Sequence, residues 1–223
     1  MTRSIRAVAA AIAEPSRLRL LQALSEPASV TELAERTGLR QANVSNHLAR
    51  LRASGLVRAA RRGRLVEYRL ADANVAQLVE SISVLAGPPR AAERARLGEA
   101  RTCYDHLAGR VGVALFDGLL AANAIADDRR SDGALCLGTA AKRVFAKFGV
   151  DVDRITPQRR RLAYRCLDWT ERRPHLGGAL GAELAAAFLS AAWVRRRARD
   201  RGLDVAPRAW RQIDALRGRA GAR

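Results

Sequence analysis

The chain has 223 residues, of which 48% are hydrophobic and 28% charged, a balance that excludes a disordered chain and leaves room for one large domain or two small ones, each with its own core. The net charge of +18 suits a polyanionic partner such as nucleic acid. Only Lys142 and Lys147 are lysines, however, so an arginine bias from a GC-rich genome accounts for part of the excess, which is spread over both halves, about +7 over residues 1–90 and about +11 beyond.

The N-terminal stretch "MTRSIRAVAAAIAEPSRLR" has no secretory pattern, because Arg3, Arg6 and Glu14 interrupt it, so a cytoplasmic protein is expected. Cys103, Cys136 and Cys166 are too few and too scattered for a disulfide framework, and a reducing compartment would keep them as thiols. "SRLRLLQALSE" places Leu18, Leu21 and Leu24 at helical spacing behind Pro15, a helix start. In "SVTE", Ser29 and Glu32 form a capping box, and Gly38 supplies the left-handed residue of a tight helix-to-helix turn.

"QANVSNHLARLRASG" puts Val44, Leu48 and Leu51 on one core-facing stripe. At about 100° per residue, Ala42, Asn43, Ser45, Asn46, Ala49 and Arg50 fall on the opposite side, with Gln41 at the tip. A merely solvated face would carry more Glu and Lys. Asn and Gln amides are what base-edge recognition uses, because they pair bidentately with adenine in the major groove. His47 lies about 60° from the stripe and is read as packed beside the turn rather than reading a base. In "LVRAARRGRLVEYRL", the alternation of Val66, Tyr68 and Leu70 with Leu65, Glu67 and Arg69 predicts a hairpin strand with one buried face. Arg61, Arg62 and Arg64 then stand at the tip, where they suit phosphate or a minor groove.

The run "LRLLQALSEPASVTELAERTGLRQANVSNHLARLRASGLVRAARRGRLVEYRLA" resembles the ArsR-type (arsenical-resistance regulator) winged helix-turn-helix transcription factors, and "VSNHLARLRASGLV" resembles their recognition helix most closely. The resemblance covers about the first 85 residues. It implies a homodimer held by helices at about residues 3–13 and 73–86, with recognition helices in successive major grooves of a pseudo-palindromic double-stranded DNA operator. Arg40 stands where the family often has a small hydroxyl residue. The family's two best-known metal sites are missing, since "TELAERTG" has no Cys and "ADANVAQLVESISVLAG" has no His.

"AGPPRAA" ends the last helix of that region, and the second half repeats itself. At an offset of 69, "HLAGRVGVALFDGLLAANAI" lies over "HLGGALGAELAAAFLSAAWV", so His106 meets His175, Gly109 meets Gly178 and Gly112 meets Gly181. The register runs on to Gly149 over Gly218. Each copy reads as a long Ala/Gly-rich helix, a short extended pair and an amphipathic helix ("TAAKRVFAKFG", "PRAWRQIDALRG"). The expected fold is therefore mainly α with small β-hairpins: a winged helix-turn-helix over residues 1–88, then a C-terminal domain of two winged-helix-like repeats, 89–155 and 156–223. "LGGALGAELAAAFLSAAWV" is long enough to raise a membrane span, but Glu183 near its middle and its Ala/Gly content favour a core helix, and no membrane partner is expected. The Arg-rich tip of "WVRRRARDRGLDVA" is read equally as a DNA contact or a solvated turn. Trp169, Trp193 and Trp210 are read as core residues before pocket lining.

"TCYDHLAG" sets Cys103 and His106 in C-x-x-H spacing, and "CLDWTERRPH" sets Cys166 nine residues before His175. In the gap-free register Cys103 aligns with Arg172, so the histidine belongs to the repeat and the cysteine stands outside it. A helix-start histidine donating to a backbone carbonyl is the economical reading. If a pseudo-twofold axis relates the copies, these four residues form a sensor with up to four N/S ligands, and thiol oxidation is a further option. No cofactor and no metal are assigned. With no phosphate loop, His-Glu-x-x-His or nucleophile elbow, an enzyme is not expected. The expected function is an operator-binding repressor whose C-terminal domain senses an effector of unknown identity. The alternative is a constitutive DNA-binding or architectural protein whose repeats serve only dimerisation or added phosphate contacts.

Overall fold

Local capping chemistry starts the second and third helices of the N-terminal half in this computed structural model, which describes residues 3–24, 26–128, 133–156, 161–198 and 200–217. Helix α1 spans Ile5–Ile12 and α2 spans Pro15–Ala23. The Glu14 carboxylate caps α2 by accepting from the Ser16 and Arg17 backbone N–H groups, ahead of a proline whose missing N–H costs nothing at a first turn. Helix α3, Val30–Thr37, has the full capping box: the Glu32 N–H donates to Ser29 Oγ while the Ser29 N–H donates to the Glu32 carboxylate at 2.7 Å. It ends at Gly38, φ 71°, a conformation that L side chains avoid. Helix α4, Gln41–Ala53, follows, and strands β1, Val57–Arg62, and β2, Leu65–Leu70, pair antiparallel with Arg62 opposite Leu65. That register leaves a two-residue turn led by Gly63, φ 63°, as a tight hairpin needs. Helix α5 spans Ala73–Leu85.

These elements form the first of two units, which runs to Ile82 and takes in the segment around 198–201. The division thus falls inside α5, ahead of the Gly-Pro-Pro segment. Its core is aliphatic, with Leu20, Leu24, Leu33, Val44, Leu48 and Leu51 each at most 1% exposed. The expected alternation on β2 holds only near its base: Leu70 is buried and Tyr68 half-buried, but Val66 is 37% exposed. The hairpin leaves the core as it approaches its tip.

The second unit runs from Ser83 to Arg197 and from Gly202 on. It opens with α6, Ala91–Leu97. Then β3 (Arg101–Cys103), β4 (His106–Ala108), α7 (Gly109–Ala121), β5 (Ile125–Asp127), β6 (Ala134–Leu137) and α8 (Ala141–Ala146) follow. After a 3-10 turn at Val152–Arg154 come β7 (Ala163–Leu167), β8 (Pro174–Gly177), α9 (Ala179–Ser190), β9 (Val194–Arg196), β10 (Leu203–Val205) and α10 (Pro207–Arg217). The order strand, strand, helix, strand, strand, helix thus occurs twice. Of the repeat pairs noted in the sequence, Gly149 over Gly218 is half outside the described residues.

The two copies exchange strands. Hairpin β5–β6 of the first joins hairpin β7–β8 of the second in a four-stranded antiparallel sheet, with Ala134 opposite Tyr164. Reciprocally, β10 meets β3 through an Arg101–Gly202 bridge, and the Leu203 N–H donates to the Ala100 carbonyl at 2.9 Å. The long helices turn out of register at matching places, Asn123 with φ 53° and Ala192 with φ 52°. Helix α9, 12 residues long, buries Leu180, Leu184 and Phe188, the core helix expected there. No helix among the described residues is long and apolar enough to cross a membrane. Trp193, half-buried, packs edge-on against the core residue Phe188 with ring centroids 5.0 Å apart, whereas Trp169 is buried.

Candidate nucleic-acid interface and a buried cysteine-histidine cluster

Helix α4 buries Val44, Leu48 and Leu51 and leaves Gln41, Asn43, Ser45, Asn46 and Arg50 exposed. The helix begins behind Arg40, which has an extended backbone and makes no side-chain cap, so the hydroxyl cap missing from the sequence is not replaced. His47 is half-buried, with Nδ1 3.5 Å from the Glu14 carboxylate. It is turned toward the capping residue of α2, as its angular position suggested. At the wing tip Arg61, Arg62 and Arg64 are exposed, and Arg62 has only a loose ion pair with Glu67 at 3.7 Å. The two cationic and amide groups therefore sit on one unit, on separate elements, with their polar atoms free of the core.

The second unit brings Cys103, His106, Cys166 and His175 together, and their ligand atoms all lie within 4.8 Å of one another. Hairpin pairing is the cause. Cys103 lies directly opposite His106 across β3–β4, and Cys166 directly opposite His175 across β7–β8. In an antiparallel pair, such residues share one face. The sequence register that set Cys103 over Arg172 is corrected by this pairing. Two residues separate Cys103 from His106, whereas eight separate Cys166 from His175, so the second hairpin carries a longer turn and the gap-free offset holds only from the histidines onward. Both cysteines belong to the repeat.

Across the cluster, His106 Nε2 stands 3.2 Å from His175 Nε2, and Cys103 Sγ stands 3.9 Å from Cys166 Sγ. All four residues are at most 3% exposed. Small residues let the helices approach: a Cβ on Gly112 of α7 would lie 3.4 Å from the His175 Cβ, and one on Gly181 of α9 would lie 3.1 Å from the His106 Cβ. Each helix thus bears on the histidine of the other copy. Cys136 is elsewhere, on β6, where its thiol donates to the Ala126 carbonyl at 3.6 Å.

A carboxylate stands behind each imidazole. His106 Nδ1 is 3.3 Å from Asp105 Oδ1, and His175 Nδ1 is 3.3 Å from Asp168 Oδ2. Asp168, fully buried, also accepts from the Gly109 N–H at 2.7 Å and the Thr170 hydroxyl at 2.7 Å, and lies 3.1 Å from the buried Arg101 guanidinium. Burial alone would raise its pKa, but the contacts with His175, Arg101 and Gly109 outweigh burial and hold its carboxyl far below the usual range. Burial would lower His175, but Asp168 and the Cys103 sulfur outweigh it and lift it to about 9. His106 is raised against the same burial by Cys103 and Asp105. Arg101, Asp105, Asp168 and Thr170 were not singled out from sequence; the signal was the Asp-x-Thr of "LDWTERRPH", a turn in which a carboxylate collects nearby N–H and O–H donors.

Comparison with known proteins bears on both halves. A family model described as a helix-turn-helix domain matches residues 12–59. The chain is 32% identical over 220 residues to an uncharacterized HTH-type transcriptional regulator of Bacillus subtilis, YdfF, a match that covers 92% of this chain and 93% of that one. It is 45% identical over 96 residues to the HTH-type transcriptional regulator CmtR of Mycobacterium tuberculosis, 40% of this chain and 81% of the relative. Among solved structures it is similar to the homodimeric winged helix-turn-helix DNA-binding domain of Mb0332 from Mycobacterium bovis, at 34% identity over 37% of this chain and 77% of that one, with a TM-score of 0.36. Helix-turn-helix, exposed polar helix face and hairpin wing define the first unit as that of a transcriptional regulator. The chain belongs to the ArsR-type winged helix-turn-helix family, and its likeness to YdfF runs through the second unit as well.

Proposed function

We propose that the chain is an operator-binding repressor that acts in the cytoplasm as a homodimer and whose second unit responds to an effector. The observation that carries the reading is the outward face of α4, where Gln41, Asn43, Ser45 and Asn46 form a small, uncharged, amide-rich surface around one Arg50. Amides read base edges, and Arg61, Arg62 and Arg64 on the wing would hold phosphate or the minor groove alongside. Helix α1 supports the dimer: in "IRAVAAAI" only Ala11 is buried and Ile5 is 88% exposed, an apolar helix that a second copy would cover. A pseudo-palindromic operator follows from a twofold dimer.

The second unit is read as two winged-helix-like copies, about 89–155 and 156–223, that carry regulation and no enzymatic activity. Its buried Cys/His cluster marks it as the responsive part. A gel-shift assay of the full chain on the DNA upstream of its own gene, with and without metals, thiol oxidants and apolar ligands, tests this. The reading expects a specific shift that one class of effector changes at least tenfold. Tight, steeply salt-dependent binding with no fragment preference would replace it with the constitutive architectural reading.

A further inference from the structure

We propose that Cys103, His106, Cys166 and His175 bind one tetrahedral divalent cation of the zinc class, held between hairpins β3–β4 and β7–β8. This deepens the reading of the second unit as the responsive part, and it rests on that reading only for any consequence on DNA.

The separations fit. With Zn–S at about 2.3 Å and Zn–N at about 2.0–2.1 Å, a tetrahedron has an S–S edge of about 3.8 Å and an N–N edge of about 3.3 Å. The structure has 3.9 Å between the sulfurs and 3.2 Å between the Nε2 atoms, and no pair of donor atoms is more than 4.8 Å apart. The sulfur–sulfur and nitrogen–nitrogen edges are already at tetrahedral length, and binding one ion would draw the longest sulfur–nitrogen separation inward from 4.8 Å.

The tautomers fit as well. Asp105 and Asp168 each lie 3.3 Å from an Nδ1, so a proton on Nδ1 would face a carboxylate and leave each Nε2 lone pair for a metal ion once the rings are neutral. At 3.2 Å the two Nε2 atoms are within reach of one shared proton in the metal-free chain, and a cation ligated by both would take that proton's place. A carboxylate behind each ligating imidazole is also the usual support of a metal-bound histidine. Two thiolates balance the charge of a divalent ion, which a site this buried requires. Thiolate and imidazole together select zinc, cobalt or cadmium over the oxygen-seeking magnesium and calcium.

Four protein ligands and almost no exposure make the site a closed one. Each hairpin contributes one Cys and one His, so the ion joins the two copies, and metal binding is coupled to their docking. The family's best-known ligand positions play no part, since α3 and α5 carry neither Cys nor His.

The test uses the reduced full chain. Elemental analysis after purification should find about one zinc per chain. Exchange for Co2+ should give thiolate-to-cobalt charge-transfer absorption together with the intense visible bands of a tetrahedral ion, saturating at one equivalent. Cys103→Ser and Cys166→Ser should each weaken Co2+ binding more than tenfold and reduce the charge-transfer band, while Cys136→Ser should match the wild type. Should the serine variants misfold, the wild-type cobalt spectrum and stoichiometry decide alone. A folded, reduced chain that retains no metal and shows no cobalt charge-transfer band would overturn the proposal, as would an unchanged spectrum in folded Cys103→Ser. A chain that binds cobalt as described yet shifts no DNA would contradict the repressor reading and leave this one standing.

Discussion

Asn46 and Gln41 matter because of where α4 turns them: three buried aliphatic side chains fix the helix's rotation, and the amides are left facing out. Replacing either by Ala should cost about 1–3 kcal/mol of specific operator binding if it pairs bidentately with a base. A fluorescence anisotropy titration checks this, and unchanged specific affinity would count against the face. Asp168 is the corresponding residue of the second unit. It ties the β7–β8 turn to the first residue of α7 through the Gly109 N–H and neutralises the buried Arg101. Asp168→Ala should destabilise the chain by about 3–5 kcal/mol, because it leaves an uncompensated buried charge. Denaturant unfolding measures this, and a loss below about 1 kcal/mol, the worth of a surface pair, would contradict the account. The amide face was legible in the sequence because it depends only on helical geometry. Asp168 was not, because its partners lie 59 and 67 residues away in the chain.

At the scale of elements, local chemistry was the most readable. The Ser29–Glu32 capping box and the Gly38 turn stand where the sequence placed them, since both depend on residues within one helical turn. Ser29→Ala should lower stability by about 1 kcal/mol, measured by the denaturant midpoint at unchanged slope. The wing was legible as a hairpin but not in its burial, because Val66 near the tip has no facing core. If Arg61, Arg62 and Arg64 each hold a phosphate, changing one to Ala should reduce the salt slope of DNA binding by about 1. A slope unchanged in all three single variants would remove the wing from the interface. The Cys/His hairpins show the opposite limit. C-x-x-H was visible, but its counterpart was disguised by a turn six residues longer, and a gap-free register cannot see an insertion that cross-strand pairing absorbs.

At the scale of the molecule, two units with separate cores explain why a relative such as CmtR can match through its greater part while spanning only 40% of this chain. A chain cut at about residue 88 keeps the aliphatic core and capped helices of the first unit, so it should fold and still bind DNA, while any effector response is lost. Loss of DNA binding on truncation would show that the second unit helps form the dimer. The internal repeat was readable from glycines and histidines in order. The exchange of strands between copies was not, because pairing partners are a tertiary choice that periodicity does not encode.

The most direct test of the central claim is a competition binding titration of the full chain on the DNA upstream of its own gene against an unrelated fragment of equal length, at one fixed salt concentration. The account predicts a preference of about a thousandfold or more, lost with Asn46→Ala. Equal affinity for the two fragments would contradict it.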